Sequence, residues 1–220
     1  MARTIAKDHD EKRAALLKTA AGFFAENGYD RASMSQLAKV CGVSKALIYH
    51  YYESKDALLF DIVHAHLTDL IEAVEAVPVV SDATEALNAL CAAILATYRD
   101  ADAEHKLQLD TISALPEDQQ RELKDQQRHL IAIMADAIRA TAPELFASRP
   151  ELLKPAAMSA FGMLNWFYMW HREGSGISRD AYAGLITDFI LGGLDRIASG
   201  KSGASKTESV EFTRRKSADR

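Results

Sequence analysis

The chain has 220 residues, 48% of them hydrophobic, which is enough for a sizeable buried core. Five prolines and eleven glycines beside abundant Ala, Leu, Glu, Asp and Lys favour helices, and two cysteines, Cys41 and Cys91, with no signal-peptide pattern exclude a disulfide framework and fit a reduced, cytoplasmic setting. The net charge of -5 divides into +3 over residues 1–55, -11 over 56–198 and +3 over 199–220, so a basic N-terminal part on an acidic body points to an anionic partner for the former.

The first element is an amphipathic helix from Asp10 to Asn27, with Leu16, Leu17, Ala20, Phe23 and Phe24 at three- and four-residue intervals and Gly28 as its stop. Ser33 or Ser35 then caps a short helix carrying Met34, Leu37, Ala38 and Val40, which ends at Cys41-Gly42. Ser44 caps the next segment, Lys45 to Tyr51, with Val43, Leu47, Ile48 and Tyr51 expected to face inward. Ser54 caps a long helix from Lys55 to about Val77, and Pro78 follows.

Two helices of about two turns are marginal alone, because nucleation is costly and few hydrogen bonds repay it. Braced on the first helix they form a helix-turn-helix, in which the second short helix enters the DNA major groove. Ser44, Lys45, Ala46, Tyr49 and His50 are then left on the outer face. Lys45 suits a guanine edge or a phosphate and Ala46 a thymine methyl, while the hydroxyls of Ser33, Ser35, Ser44 and Tyr49 suit phosphates. Lys55 stands at the start of the following helix, where free backbone N–H groups already favour an anion.

The run FFAENGYDRASMSQLAKVCGVSKALIYHYYESKDALL resembles the DNA-binding domain of the TetR family of transcriptional repressors. The likeness rests on Phe and Gly closing the first helix, Gly42-Val43-Ser44 opening the third, and the exit through Tyr49, Tyr51, Tyr52, Lys55 and Leu58. It implies an all-α protein: a helix-turn-helix domain over residues 1–55, a helical effector-binding and dimerisation domain over 56–198, and a disordered tail over 199–220. It also implies a homodimer on a palindromic double-stranded operator.

The body continues as helices over Asp82–Ala101, His105–Leu115 and Glu117–Thr141, then a loop or short turn to Pro150. Pro155 suits the first turn of a helix reaching Arg172, and Ser178 caps a last helix over Arg179–Ala198. The run Pro155–Trp170 contains Ser159 and Asn165 and reads as a buried helix rather than a membrane span. Trp166, Phe167, Tyr168, Met169 and Trp170 surround that helix with large side chains, and Tyr182, Leu185, Ile186, Phe189, Ile190 and Leu194 form a seam on the next. This surface suits a four-helix interface between two copies.

No G-x-S-x-G, P-loop or dinucleotide fingerprint occurs, and the spacing of Asp61, His64 and His66 does not reproduce a zinc-binding i, i+4 histidine pair. No catalytic residue, metal or cofactor is therefore expected. The segment FGMLNWFYMWHREGSGISRDAYAGLITDFILGGL resembles a TetR subgroup governing degradation of phenylacetate, fatty acids or steroid fragments, whose effectors are acyl-CoA thioesters. That resemblance implies an apolar pocket, for which Tyr98, Met134, Phe161, Trp166 and Met169 are the candidate lining. Asn165 is placed near the thioester carbonyl, with Arg121, Lys124 and Arg128 at the phosphates. The alternative is a small aromatic or lipid effector that is not a CoA thioester.

Overall fold

The structure, a computed structural model, describes residues 2–172, 174 and 176–200, with side chains from Lys12 onward. It is all-α. Helix α1 spans Ala2–Asn27, starting earlier than its apolar pattern suggests because neither Pro nor Gly occurs among residues 2–21. Gly28 ends it with φ 78°, donating its N–H to the Phe24 carbonyl at 3.0 Å. A side chain there is strained by the backbone, and its Cβ would stand 3.3 Å from the Arg31 guanidinium.

Helix α2 spans Met34–Val40, and its cap is Ser33: the hydroxyl accepts the Gln36 N–H while the Gln36 side chain returns to the Ser33 backbone. Ser35 therefore lies inside the first turn. Gly42, at φ 66°, reverses the chain, and α3 follows over Lys45–Tyr51, with the Ser44 hydroxyl accepting from Leu47 N–H at 3.1 Å. Helix α4, Lys55–Glu75, is capped by Ser54 and stops slightly before Val77.

Phe24, Leu37, Ile48, Leu58 and Leu59 bury completely where these helices meet. The inward set expected on α3 is thereby narrowed. Ile48 is its fully buried member, Val43 and Tyr51 are half-buried, and Leu47 is 42% exposed. So short a helix presents one stripe to its neighbours, and Leu47 lies beside it at the edge of a shallow groove shared with Leu16 and Cys41. Tyr52, just past α3, is buried and donates its hydroxyl to Asp61 of α4, whose carboxylate also takes Arg13 of α1 at 2.5 Å. Tyr29 in the α1–α2 turn donates likewise to Asp56. Burial first, then these carboxylates, push both phenols well above their usual range.

The body comprises α5 (Ala83–Thr97), α6 (Asp102–Asp110), α7 (Glu117–Thr141), α8 (Pro143–Ser148), α9 (Leu153–Trp170) and α10 (Arg179–Ala198), with one-turn 3-10 segments at Ile112–Ala114 and Pro150–Leu152. Helices α7 and α10 have the spans their caps and periodicity predict. Helix α5 is shorter than expected, since the chain turns at Asp100 with φ 59°. The segment expected as one helix over His105–Leu115 is instead α6, starting earlier, followed by a 3-10 turn. The expected loop after Thr141 holds α8, which Pro143 starts from its first position. Helix α9 begins just before Pro155, whose missing N–H falls harmlessly in the first turn, and it ends at Trp170 rather than Arg172.

Helix α5 packs on α10 and α7, and α7 packs on α4 and α9. Leu67, Leu70, Leu87, Ile94, Leu95 and Phe167 bury among them. Helix α1 lies against both α4 and α6. Across the second contact Lys18 bonds the Asp100 carbonyl and Glu104, and Lys106 donates to the Ala25 carbonyl at 3.0 Å. Among the described residues no helix is long and apolar enough to cross a membrane. The expected disordered tail lies, from residue 201, outside the described residues.

Candidate DNA-reading surface and effector cavity

On the outer side of the helix-turn-helix, Ser35, Ser44, Lys45, Ala46, Tyr49 and His50 are all exposed. Lys45 and Tyr49 stand one turn apart on α3, with the ammonium 5.4 Å from the ring centroid. They form a patch that carries one cation, an aromatic hydroxyl and a small apolar side chain within a single helix face. Ser44 accepts a bond at its cap yet keeps its own proton for an outside acceptor. Ser33 does not: its hydroxyl donates to Gln36 Oε1 at 2.9 Å, so its role is the cap.

Lys55 also departs from the role expected of it. Its ammonium bonds the carbonyls of Tyr29 at 2.8 Å, Ala32 at 3.2 Å and Asp30 at 3.4 Å, and lies 4.2 Å from the Tyr29 ring centroid. All three N–H donors thus face the turn that joins α1 to α2. Lys55 braces that turn; it is not a cation left open to phosphate. Sequence spacing placed it at a helix N-terminus but said nothing of the carbonyls that fold back over it.

In the body, a cavity of about 210 Å³ opens between α4, α5, α6, α7 and α9. Of the expected lining residues, Tyr98, Phe161 and Asn165 are present. Met134 is fully buried in the core instead. Trp166 and Met169, 59% and 50% exposed, lie on the outer side of α9. An apolar helix has no stripe of its own to orient it, and packing by Ala157, Ala160, Leu164 and Phe167 decides which side is outward. Sequence reasoning missed Leu70 and Ile94, the α7 set Gln127, Leu130 and Ile131, and the rim residues Leu109 and Met158. The α7 spacing of three and four residues was the available signal.

The deep side of the cavity is polar. Tyr98 donates its hydroxyl to Asn165 Oδ1 at 2.7 Å, and His105 Nε2 lies 3.2 Å from the Asn165 backbone carbonyl. His105 packs on Tyr98 with centroids 4.1 Å apart, and His66 packs on both. Burial lowers the pKa of His66 to about 3, helped by the neighbouring His105, and burial lowers that of His105 as well. Both imidazoles are therefore neutral at physiological pH. Of the run Asp61, His64 and His66, Asp61 joins Arg13, His64 pairs with Glu122 at 3.4 Å, and His66 turns inward. Among the described residues no three His, Cys, Asp or Glu side chains converge as metal ligands.

Of the cations expected at a phosphate end, Lys124 bonds Gln120 and Arg128 pairs with Asp125 along α7, and Arg121 is exposed on the same helix. On the outside of α9 and α10, Met158, Trp166, Met169, Trp170, Leu185 and Phe189 form an exposed apolar surface, while Ile186, Ile190 and Leu194 of the expected seam are buried within the chain. A Cβ placed at Gly192 or Gly193 meets nothing within 4 Å.

Comparison with known proteins agrees with this architecture. Residues 16–62 match the family described as bacterial regulatory proteins, tetR family, and residues 80–194 match the tetracyclin repressor-like C-terminal domain. The transcriptional activator FasR of Mycolicibacterium smegmatis is 35% identical over 65 residues, 30% of either chain, so this match spans under a third of that relative. A TetR-family regulator from Bordetella parapertussis is 33% identical, with a TM-score of 0.76 over 81% of this chain and 93% of the other. AibR, solved with isovaleryl coenzyme A and operator DNA, has a TM-score of 0.69 over 82% of this chain and 98% of its own; at 21% identity it shares the fold. Helix-turn-helix, helical body and family matches over both halves lead to one conclusion: the chain belongs to the TetR family of DNA-binding transcriptional regulators.

Proposed function

We propose that the protein is a repressor that binds a palindromic operator as a homodimer and leaves it when an acyl-CoA thioester enters the body cavity. The observation that carries this reading is the cavity itself, apolar toward its rim at Leu109 and Met158, polar at Asn165, and walled partly by α4. An acyl group suits such a wall, and the coenzyme's phosphates would remain outside near Arg121, Lys124 and Arg128. AibR holds isovaleryl coenzyme A and operator DNA within the same architecture.

Helix α4 supplies the coupling. Leu70 lines the cavity, and Asp61, on the same helix, holds Arg13 and Tyr52 of the DNA head. The two are separated by about 14 Å along the helix axis. A ligand acts through this lever only by binding more tightly to the arrangement whose head spacing mismatches the operator. The test is an operator-release titration at fixed salt. Phenylacetyl-CoA and medium-chain acyl-CoAs are expected to dissociate the complex, while free CoA and the free acids leave it intact. Equal release by the free acids would replace the thioester with a small aromatic or lipid effector.

The reading surface proposed for DNA is Ser35, Ser44, Lys45, Ala46, Tyr49 and His50. Lys45→Ala is expected to weaken operator binding by about 1–3 kcal/mol, to alter the preference among operator variants, and to reduce the log–log salt slope by roughly one. Affinity measured at several salt concentrations checks this, and unchanged affinity removes Lys45 from the interface.

A further inference from the structure

A second cavity, of about 360 Å³, lies where the head meets the body, among α1, α4, the α5–α6 turn and the start of α6. Its apolar lining comes from Ala14 and Leu17 of α1 and from Ile62 and Ala65 of α4. Its polar lining carries charges of both signs. Lys18 pairs with Glu104 at 3.1 Å and also bonds the Asp100 carbonyl, which leaves the side chains of Asp69, Arg99 and Asp100. All three are exposed to solvent, and among the described residues none of them has a hydrogen-bond or ion-pair partner. Burial first, then Glu72 and Glu104, raise the pKa of Asp69, as befits a carboxylate with acids rather than a cation beside it.

From this arrangement we infer that the junction cavity binds a small zwitterion, an α-amino acid with an aliphatic side chain, which sets its ammonium against Asp69, its carboxylate against Arg99 and its apolar part against Leu17 and Ile62. This site is separate from the body cavity and goes beyond the thioester reading. A carboxylate meets a guanidinium through two parallel N–H···O bonds, and an ammonium gives its donors to carboxylate oxygens. A simple amine would find Asp69 but be repelled by Arg99, and a simple acid would find Arg99 but be repelled by Asp69 and Asp100. Only a ligand that carries both charges engages both side chains. An engineered cavity of about 150 Å³ holds benzene, so a volume of about 360 Å³ has room for an amino acid with a short aliphatic chain.

Calorimetry on the full chain with L-norleucine tests this, beside pentylamine and hexanoate, which are the same skeleton without the carboxylate and without the ammonium. Norleucine is expected to bind saturably, and either analogue to displace it only at a concentration about tenfold higher or more, since each lacks one charge-assisted pair. Asp69→Asn and Arg99→Gln are each expected to weaken norleucine by about tenfold. Both side chains are exposed and unpaired, so the fold is retained, and the analogue series needs no variant at all. No saturation by norleucine, displacement by either analogue at equal concentration, or unchanged affinity in either variant would each overturn the inference. No probe is a thioester and neither substitution lines the body cavity, so failure here leaves the thioester reading standing, and failed CoA titrations leave the zwitterion site standing.

Discussion

Leu185→Glu with Phe189→Glu is expected to yield a monomer with no tight operator binding. Both side chains are exposed on α10, Phe189 by 61%, beside a helix face where Gly192 and Gly193 leave room for close approach. Packing α9 and α10 against their symmetry mates would cover this surface and place two reading heads on one palindrome. In that arrangement the double variant buries four unpaired carboxylates per dimer, at a cost of several kcal/mol. Operator affinity falls further, because a monomer loses the effective concentration that the first bound head provides for the second. Sedimentation and operator titration at one salt concentration check the result. A well-folded variant that sediments as a dimer would place the interface elsewhere.

Acid is expected to destabilise the protein through His66 and His105. Each has a folded pKa below its ordinary value of about 6.5, His66 at about 3, so the unfolded chain binds more protons between these limits. Their contribution is complete above about pH 6.5 and is lost as pH falls toward the folded pKa. For His66 the slope approaches about 1.4 kcal/mol per pH unit. Urea unfolding of the wild type and His66→Gln at pH 7, 6 and 5, with protomer concentration and salt fixed, isolates one of them. The variant is expected to show a flatter decline, and parallel curves would mean that His66 is not buried neutral.

Much of the helical layout was legible because local chemistry determines it. Ser44 and Ser178 cap α3 and α10, Gly28 stops α1, and the four-residue spacing of Leu130, Met134 and Ile138 marks the buried stripe of α7. The exposed face of α3 followed from that layout, except at Leu47. What remained hidden depended on contacts between distant segments. Lys55 is held by carbonyls 23 to 26 positions away, which no helical pattern encodes. Trp166 and Phe167 are equally apolar neighbours, yet one is exposed and the other buried, because α9 is oriented by the elements packed on it. Gln108, a polar residue near the end of α6, is buried because α6 packs against the body helices around the cavity.

The second fastening of α1, along α6, bears on modularity. Lys18 and Lys106 tie the two helices in opposite directions, one reaching from head to body and the other from body to head, and α6 also supplies Gln108 and Leu109 to the cavity. The natural unit of exchange between relatives is therefore not the segment that ends at α4. A head grafted from another regulator would arrive without the carbonyl at Ala25 positioned for Lys106 or the lysine that meets Asp100 and Glu104, so a working chimera has to carry the matching stretch of α6 with it.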